Sequence, residues 1–180
     1  MYLPARPHKM SAGDPIKEEY FDVVNDRDEV IAQELRREVH RKGLKHRAVH
    51  VLVFNAKGHV FLQKRSQKKD QFPGTWDSSA SGHLAPGETY DDAAVRETFE
   101  EIGLKLAEVP TRLFKMNACK ETGQEFVWVY RCASEGPFKL DPTEVEHGNW
   151  FKADDITRWI LNRPKDFAEA FIYLWKLGKF

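Results

Sequence analysis

The alternation of apolar and polar positions along the chain is typical of short β-strands separated by turns. The strongest strand signal lies at 48–54. The turn Asn55-Ala56-Lys57-Gly58 leads from it into a second strand at 60–63, which predicts a hairpin. Further strands are predicted at 20–24, 29–32, 113–119, 126–132 and 145–151. Strands are therefore the most frequent predicted element.

Four segments show helical spacing instead. The best defined helix opens with a capping box formed by Thr89 and Asp92 and closes at Gly103. The other helices are predicted at 33–42, 153–161 and 165–177. The last of them has one apolar face, made of Phe167, Phe171, Leu174 and Trp175.

The order of these elements indicates the fold class. Strands with a few interspersed helices, without regular βαβ alternation, favour an α+β fold built as an α/β/α sandwich with a mixed sheet. The 180 residues suit one domain with a full hydrophobic core. We therefore expect a single domain at 16–180. A flexible arm is expected at 1–15, which holds three prolines and no apolar signal segment.

Composition excludes several classes of protein. The 28 Lys and Arg residues balance the 28 Asp and Glu residues, and without a basic field we expect no broad nucleic-acid binding. The two cysteines are too few and too far apart for a disulfide framework or a zinc motif, which favours a reducing compartment. No apolar run approaches the roughly 20 residues that span a bilayer. We expect a cytoplasmic protein that acts on a small molecule.

The predicted helix at 89–103 carries a cluster of carboxylates. Glu97, Glu100 and Glu101 stand at positions i, i+3 and i+4, so their side chains leave the same helical face. Like charges at this spacing repel each other, and a divalent cation such as Mg²⁺ relieves the repulsion. The alternative is an ordinary solvated Glu-rich face.

The residues around this cluster match a longer motif. The segment 82–104 resembles the Nudix box, G-x5-E-x7-R-E-U-x-E-E-x-G-U, with a soft departure at Thr98, where the motif prefers an apolar residue. The matching positions are Gly82, Glu88, Arg96, Glu97, Glu100, Glu101, Gly103 and Leu104. The resemblance implies a Nudix-type α/β/α sandwich with a loop–helix–loop metal site and Mg²⁺ or Mn²⁺ as cofactor.

Residue roles follow from the same resemblance. It implies that Glu97, Glu100 and Glu101 are metal ligands, with the Gly82 carbonyl as a further ligand. Glu88 and Arg96 correspond to the structural pair that ties the loop of the box to its helix, and Gly103 ends that helix. The implied general base is a carboxylate of the box, Glu101 or its neighbour Glu100, or else Glu144 or Glu146 in the loop before the last strand. For the latter two, a solvated loop is the alternative.

The segment 20–104 is also similar to the branch of the superfamily that contains isopentenyl-diphosphate isomerases. Those enzymes carry a thiol immediately before the Gly-His of the box, where this chain has Ser81, and a hydroxyl is a poor proton donor or acceptor by comparison. Their second metal site uses three histidines and two carboxylates. The matching residues here are His40, His46, His83 and Glu125, with Gly123 in place of the remaining carboxylate. Hydrogen-bonded structural histidines are the alternative, and His50 is interpreted as a packing residue.

Three residues near the second hairpin strand are candidates for substrate binding. Lys64 and Arg65 are suited to phosphate contacts, although charges also protect edge strands. Trp76, with Phe72 ahead of it, suits stacking on a base or packing on a prenyl tail, and core packing is the alternative.

These observations predict a metal-dependent hydrolase. The expected substrate is a nucleoside diphosphate derivative or another small organic diphosphate, cleaved by a metal-activated water. The alternatives are an enzyme like isopentenyl-diphosphate isomerase and a non-catalytic diphosphate-binding module. A homodimer remains open, because the apolar strands and the aromatic last helix suit an interface as well as a core.

Overall fold

Residues 18–178 and 180, which the computed structural model describes, contain nine β-strands and four α-helices, so the expected arm at 1–15 lies outside them. In chain order the elements are β1 (Tyr20–Val24), β2 (Val30–Leu35), α1 (Arg36–Lys42), β3 (His46–Phe54), β4 (Val60–Arg65), β5 (Trp76–Asp77), β6 (Ala80–His83), α2 (Tyr90–Ile102), β7 (Thr111–Met116), β8 (Glu125–Ala133), β9 (Val145–Phe151), α3 (Ala153–Asn162) and α4 (Glu169–Leu177). None of these helices has the length and apolar content needed to cross a membrane.

The strands form two sheets. β1 and β2 pair as an antiparallel ribbon, while the other seven strands build a mixed sheet whose central path is β5-β4-β3-β8-β7. β6 pairs with β3, and β9 pairs with β4. The β3–β8 pairing is parallel, from His46 opposite Glu125 to Phe54 opposite Ala133, and the other pairings are antiparallel. The predicted mixed sheet is confirmed.

Helices cover both faces of this sheet. On β3, Val49 and Val51 pack with α2, whereas Ala48 and Leu52 pack with α3 and α4. The alternation follows from the period of two along a strand, and the near-continuous burial of β3 follows from its having helices on both sides. The predicted α+β fold with an α/β/α arrangement is therefore confirmed.

The capping signals at α2 are confirmed. The Thr89 hydroxyl oxygen accepts a hydrogen bond from the Asp92 amide at 3.2 Å, and Gly103 ends the helix in the left-handed conformation, with a φ of 69°. A side chain at Gly103 would also collide with the backbone of Lys139, because a Cβ there would lie 2.8 Å from the Lys139 carbonyl oxygen. Both ends of α2 are thus determined locally.

Two boundaries differ from the predictions because of pairing with distant residues. β2 continues to Leu35, where a helix was expected from 33, since Gln33 and Glu34 pair with β1 and the Gln33 amide donates to Asp22 at 3.0 Å. The last helix begins at Glu169 rather than 165. A 3-10 turn occupies Pro164–Asp166, and Phe167 forms a β-bridge with Trp76.

Small residues before the box form a strand, which the sequence pattern did not indicate. No strand was predicted at 80–83, but Ala80–His83 is β6 and pairs with β3 from Val51 to Ala48. The Glu97 carboxylate of α2 leaves no room for a side chain at Gly82 of this strand.

Phe171 should be a major contributor to stability. It is fully buried between the sheet and α3, and it stacks on Phe167 with ring centroids 5.6 Å apart. We expect Phe171→Ala to lower the free energy of unfolding by about 3–5 kcal/mol, because it removes apolar contacts and leaves a cavity. Urea denaturation measures the loss.

The matched control is Leu161→Ala on α3, since the Leu161 side chain is 74% exposed. Its expected effect lies within about 0.5 kcal/mol. Equal losses for the two variants would contradict the assignment of the core.

Candidate active site and two candidate metal centres

One cavity of about 570 Å³ collects most of the predicted site residues. It is bounded by the loop between β4 and β5, by β6, by α2 and by the start of α4. The carboxylates of the box, Glu97, Glu100 and Glu101, line it. Basic side chains that line it are Arg36, Arg65, Lys69, Arg96 and Lys120. The cavity therefore combines acid on the helix with base around it, as cation-bridged binding of a diphosphate requires.

Two of the three carboxylates pack against β6, Glu101 as a buried residue and Glu97 with a side chain that is 12% exposed. Glu101 is 3% exposed, and its carboxylate accepts hydrogen bonds from the Ser81 amide and the Gln63 side chain, both at 2.8 Å. The Glu97 carboxylate lies directly over Gly82, where a Cβ would be 2.1 Å from its carboxyl carbon. A glycine at 82 is therefore required for Glu97 to reach this place.

Arg96 connects the loop of the box to its helix. Its guanidinium donates to both carboxylate oxygens of Glu88, at 2.8 and 2.7 Å, and to the His83 carbonyl at 3.0 Å. A further nitrogen donates to Glu97 at 2.7 Å and to Glu100 at 2.9 Å. The pair Glu88–Arg96 is in contact, as the box resemblance implies.

The burial of the carboxylates changes their acidity. Loss of solvent raises the pKa of Glu97 to about 7, and the neighbouring Glu100 adds to the rise. Burial also raises the pKa of Glu101 to about 8, helped by the charge of Glu97, although the Ser81 amide and Lys69 oppose it. The positive charges of Arg96 and Lys69 thus do not offset the effect of burial on these pKa values. The oxygen donors of the cluster suit a hard divalent cation.

The three predicted histidines form a second cluster beside the first. Ring nitrogens of His40, His46 and His83 all lie within 4.8 Å of one another. His83 donates through Nε2 to Glu125 at 2.9 Å, and the same Glu125 oxygen is 3.5 Å from Nε2 of His46. Phe21 of β1 stacks on the His83 ring at 4.4 Å and covers the cluster.

The protonation of this cluster suits metal binding. His46 donates from Nδ1 to the Leu44 carbonyl at 2.9 Å, so the lone pair of the imidazole is on Nε2. Within residues 18–178, the Nε2 atoms of His40 and His46 are buried and have no hydrogen-bond partner. Burial, with the charges of His83 and His46, lowers the pKa of His40 to about 4. Burial opposes ionisation of Glu125, yet the His83 ring that donates to it holds its pKa well below the usual range.

Imidazole nitrogens such as the unpartnered Nε2 atoms of His40 and His46, with one carboxylate beside them, are the donor set of a transition-metal site. The position of the missing carboxylate, Gly123, faces this set, since a Cβ there would lie 3.9 Å from the Glu125 carboxylate. The residues present therefore fit a metal ion with four protein ligands.

Only one of the three predicted substrate-binding residues lies at the cavity. Arg65 lines it and is held by Asp77 at 3.1 Å and by the Gln71 carbonyl. Lys64 does not line it, because neighbouring residues of β4 leave opposite faces and Arg65 occupies the cavity side. Trp76 packs in the core, against Phe151 and Trp159. The predictions for Lys64 and Trp76 therefore need correction.

The two candidates for a base in the loop before β9 also separate. Glu144 lines the cavity and forms an ion pair with Lys69. Glu146 does not line it; its side chain is 41% exposed and accepts a hydrogen bond from Gln67 at 3.4 Å. The pairing of β4 with β9 shifts register here, since Lys64 lies opposite His147 and Arg65 lies opposite Val145.

Sequence reasoning missed Arg36, Lys69 and His50 as cavity residues. Lys69 belongs to the basic group at 64–69, which was a usable signal. His50 shares its face of β3 with His46 and Ala48, so the period of two along the strand was a signal for it. Arg36 belongs to a second basic group, at 36–47, which was a signal of the same kind.

Comparison with known proteins agrees with these features. The family model described as NUDIX domain matches residues 44–171. The uncharacterised Nudix hydrolase YfcD of Escherichia coli is 34% identical over 142 residues, which cover 77% of this chain and 77% of YfcD. An isopentenyl-diphosphate Delta-isomerase of Pectobacterium atrosepticum is 30% identical over 152 residues, or 83% of this chain and 85% of the isomerase.

A solved structure gives the same result. The crystal structure of DR0079 from Deinococcus radiodurans matches with a TM-score of 0.80 and 27% identity, over 88% of this chain and 98% of that one. The resemblance at 82–104 is thereby confirmed, and the isomerase among the relatives agrees with the similarity at 20–104. The chain belongs to the Nudix hydrolase family.

Proposed function

We propose that this protein hydrolyses the diphosphate linkage of a small organic diphosphate, such as a nucleoside diphosphate derivative, with Mg²⁺ or Mn²⁺. The observation that carries the proposal is the convergence of Glu97, Glu100 and Glu101 at one cavity, where Glu101 is buried and the Glu97 side chain is only 12% exposed. Burying like charges is unfavourable unless a cation shares the site. The family assignment agrees with hydrolysis.

Each group around the cavity has a role in this proposal. Glu97, Glu100 and Glu101 would hold the metal, with the Gly82 carbonyl as a further ligand. When bound, the metal lowers the pKa of a coordinated water and neutralises charge on the phosphates. Arg65 and Lys69 bind and orient the diphosphate, since both line the cavity beside the carboxylates.

Two carboxylates remain candidates for the general base. Glu101 is oriented by the Ser81 amide and Gln63. Glu144 lies across the cavity in its ion pair with Lys69, where a bound phosphate would compete for the lysine. Glu146 is the weakest candidate, because it does not line the cavity.

The histidine cluster is proposed as a second metal centre. Two buried ring nitrogens without partners among residues 18–178 support it, together with the Glu125 carboxylate beside them. Its imidazole donors favour a transition-metal ion, whereas the oxygen donors on α2 favour Mg²⁺. The two centres should therefore be separable by the identity of the metal.

Hydrolysis is favoured over isomerisation by Ser81, which lines the cavity where the isomerases carry a thiol. A merely binding module is disfavoured by the complete carboxylate set and its Arg96 support.

Replacement of Glu101 should separate catalysis from folding. Glu101→Gln is nearly isosteric, and its amide oxygen can still accept from the Ser81 amide. We expect hydrolysis to fall at least about 100-fold, because a ligand and a candidate base are lost together. Thermal denaturation without metal should show unchanged or higher stability, since repulsion with Glu97 is removed.

The control is Glu108→Gln, because Glu108 lies exposed in the loop after α2. It should match the wild type in activity and stability. Near wild-type activity of Glu101→Gln would show that Glu101 is neither the base nor an essential ligand.

A substrate screen tests the reaction class. The panel contains nucleoside diphosphates, nucleotide sugars, dinucleotides and prenyl diphosphates. With Mg²⁺, we expect release of phosphate or nucleotide from at least one of these classes. Isopentenyl diphosphate should give no dimethylallyl product, because the Ser81 hydroxyl is too weak an acid for the proton transfer. Hydrolysis in ¹⁸O-labelled water identifies the phosphorus that is attacked. Appreciable isomerisation would contradict the argument from Ser81.

Metal analysis tests the histidine centre without reference to activity. After incubation with Zn²⁺ in excess Mg²⁺ and then dialysis, we expect about one Zn²⁺ per wild-type chain. His40→Ala and His83→Ala should retain far less, while Glu101→Gln should retain as much as the wild type. His59→Ala, outside the cluster, is the matched control. Equal Zn²⁺ in all variants would exclude this centre.

A further inference from the structure

His50 lies at the wall of the cavity rather than in the apolar core. It is only 4% exposed, and it lines the cavity together with Ser81. The two residues stand directly opposite each other in the antiparallel pairing of β3 and β6. Residues opposite each other in such a pair share one face of the sheet, so the imidazole and the hydroxyl are neighbours.

The imidazole of His50 is held through its Nδ1 atom. Its Nδ1 is 2.7 Å from the Ser78 hydroxyl oxygen and 3.5 Å from the Asp77 carboxylate. Asp77 is fixed in turn by Arg65 at 3.1 Å and by the Ser78 amide at 2.8 Å. The ring orientation is thus determined by groups that also position Arg65, the proposed phosphate contact.

This arrangement determines which ring nitrogen carries the proton. The Ser78 hydroxyl has its own acceptors, the Ala80 carbonyl at 3.2 Å and Asp77 at 3.4 Å, so its oxygen is free to accept from His50. The nearby Asp77 carboxylate favours a proton on Nδ1. The hydrogen bonds among residues 18–178 engage only Nδ1, which leaves Nε2 as an acceptor for a ligand.

The surroundings of His50 are poorly suited to a hydrocarbon chain. The apolar side chains that line the cavity are three alanines and one phenylalanine, Ala48, Ala168, Ala170 and Phe72. Polar side chains near the sheet are His50, Ser81, His83, Thr122 and Glu125. A prenyl group placed here would bury the Nε2 of His50 and the Ser81 hydroxyl, which have no hydrogen-bond partner among residues 18–178, and this disfavours binding.

We propose that His50 is a specificity-determining residue of this site, and that its Nε2 accepts a hydrogen bond from a hydroxyl group on the organic part of the substrate. The preferred substrate is then the diphosphate of a hydroxylated group, such as a nucleoside, and not a prenyl diphosphate. The inference rests on the proposed function only for the location of the diphosphate beside the carboxylates of α2.

Binding of non-hydrolysable analogues tests this inference separately from catalysis. Isothermal titration calorimetry in Mg²⁺ compares the methylene-bridged analogues of ADP, of 2′,3′-dideoxy-ADP and of geranyl diphosphate. The wild type should bind the ADP analogue at least about tenfold more tightly than either of the others, because only that analogue offers hydroxyl groups to Nε2.

Variants of His50 form a double-mutant cycle with the missing hydroxyl groups. His50→Leu should lose at least about tenfold in affinity for the ADP analogue and little for the dideoxy and geranyl analogues, so the preference disappears. His50→Gln, whose amide oxygen can reach the place of Nε2, should restore part of it. His59→Leu is the matched control, since His59 does not line the cavity.

Three outcomes would overturn the inference: a wild type that binds no analogue or prefers the geranyl analogue, a preference that survives in His50→Leu, or equal weakening for all three analogues. If His50→Leu does not fold, the same comparison is made with His50→Gln and His50→Ala. Failure of the wild type to hydrolyse any diphosphate, with the binding preference intact, contradicts the proposed function and not the role of His50.

Discussion

The guanidinium of Arg96 is the interaction on which the candidate site depends. It bonds Glu88 and the His83 carbonyl on the loop side and Glu97 and Glu100 on the helix side. These contacts hold three carboxylates close together, where repulsion would otherwise separate them. Arg96 offsets part of this repulsion by supplying the opposite charge, and glycine at 82 lets Glu97 approach the strand.

β6 separates the two candidate metal centres. Neighbouring residues on a strand leave opposite faces, so Gly82 meets Glu97 of α2, while His83 turns to His40, His46 and Glu125. A four-residue strand thus places the candidate oxygen-donor site on one face and the candidate imidazole site on the other. The two candidate centres are neighbours because Gly82 and His83 are consecutive residues of β6. Both residues line the cavity, so a substrate there would lie beside both centres.

The histidine centre depends on the only parallel pairing among the described strands. β3 and β8 run in the same direction, which brings His46 opposite Glu125. α1 contributes His40 and β1 covers the set with Phe21. Burial by these elements lowers the pKa of His40, and the Nε2 atoms of His40 and His46 have no hydrogen-bond partner among residues 18–178.

The sequence by itself determined what is local. The capping box, the closing glycine and the spacing of Glu97, Glu100 and Glu101 predict α2 and its acidic face, because helix periodicity and caps act over a few residues. The tertiary structure alone decided which side chains share the cavity. Lys64 and Trp76 left it, and Arg36, Lys69 and His50 entered it, because strand register and the packing of distant segments choose the face that a side chain takes. β6 was missed for the same reason, since its strand conformation comes from pairing with β3 and not from its small residues.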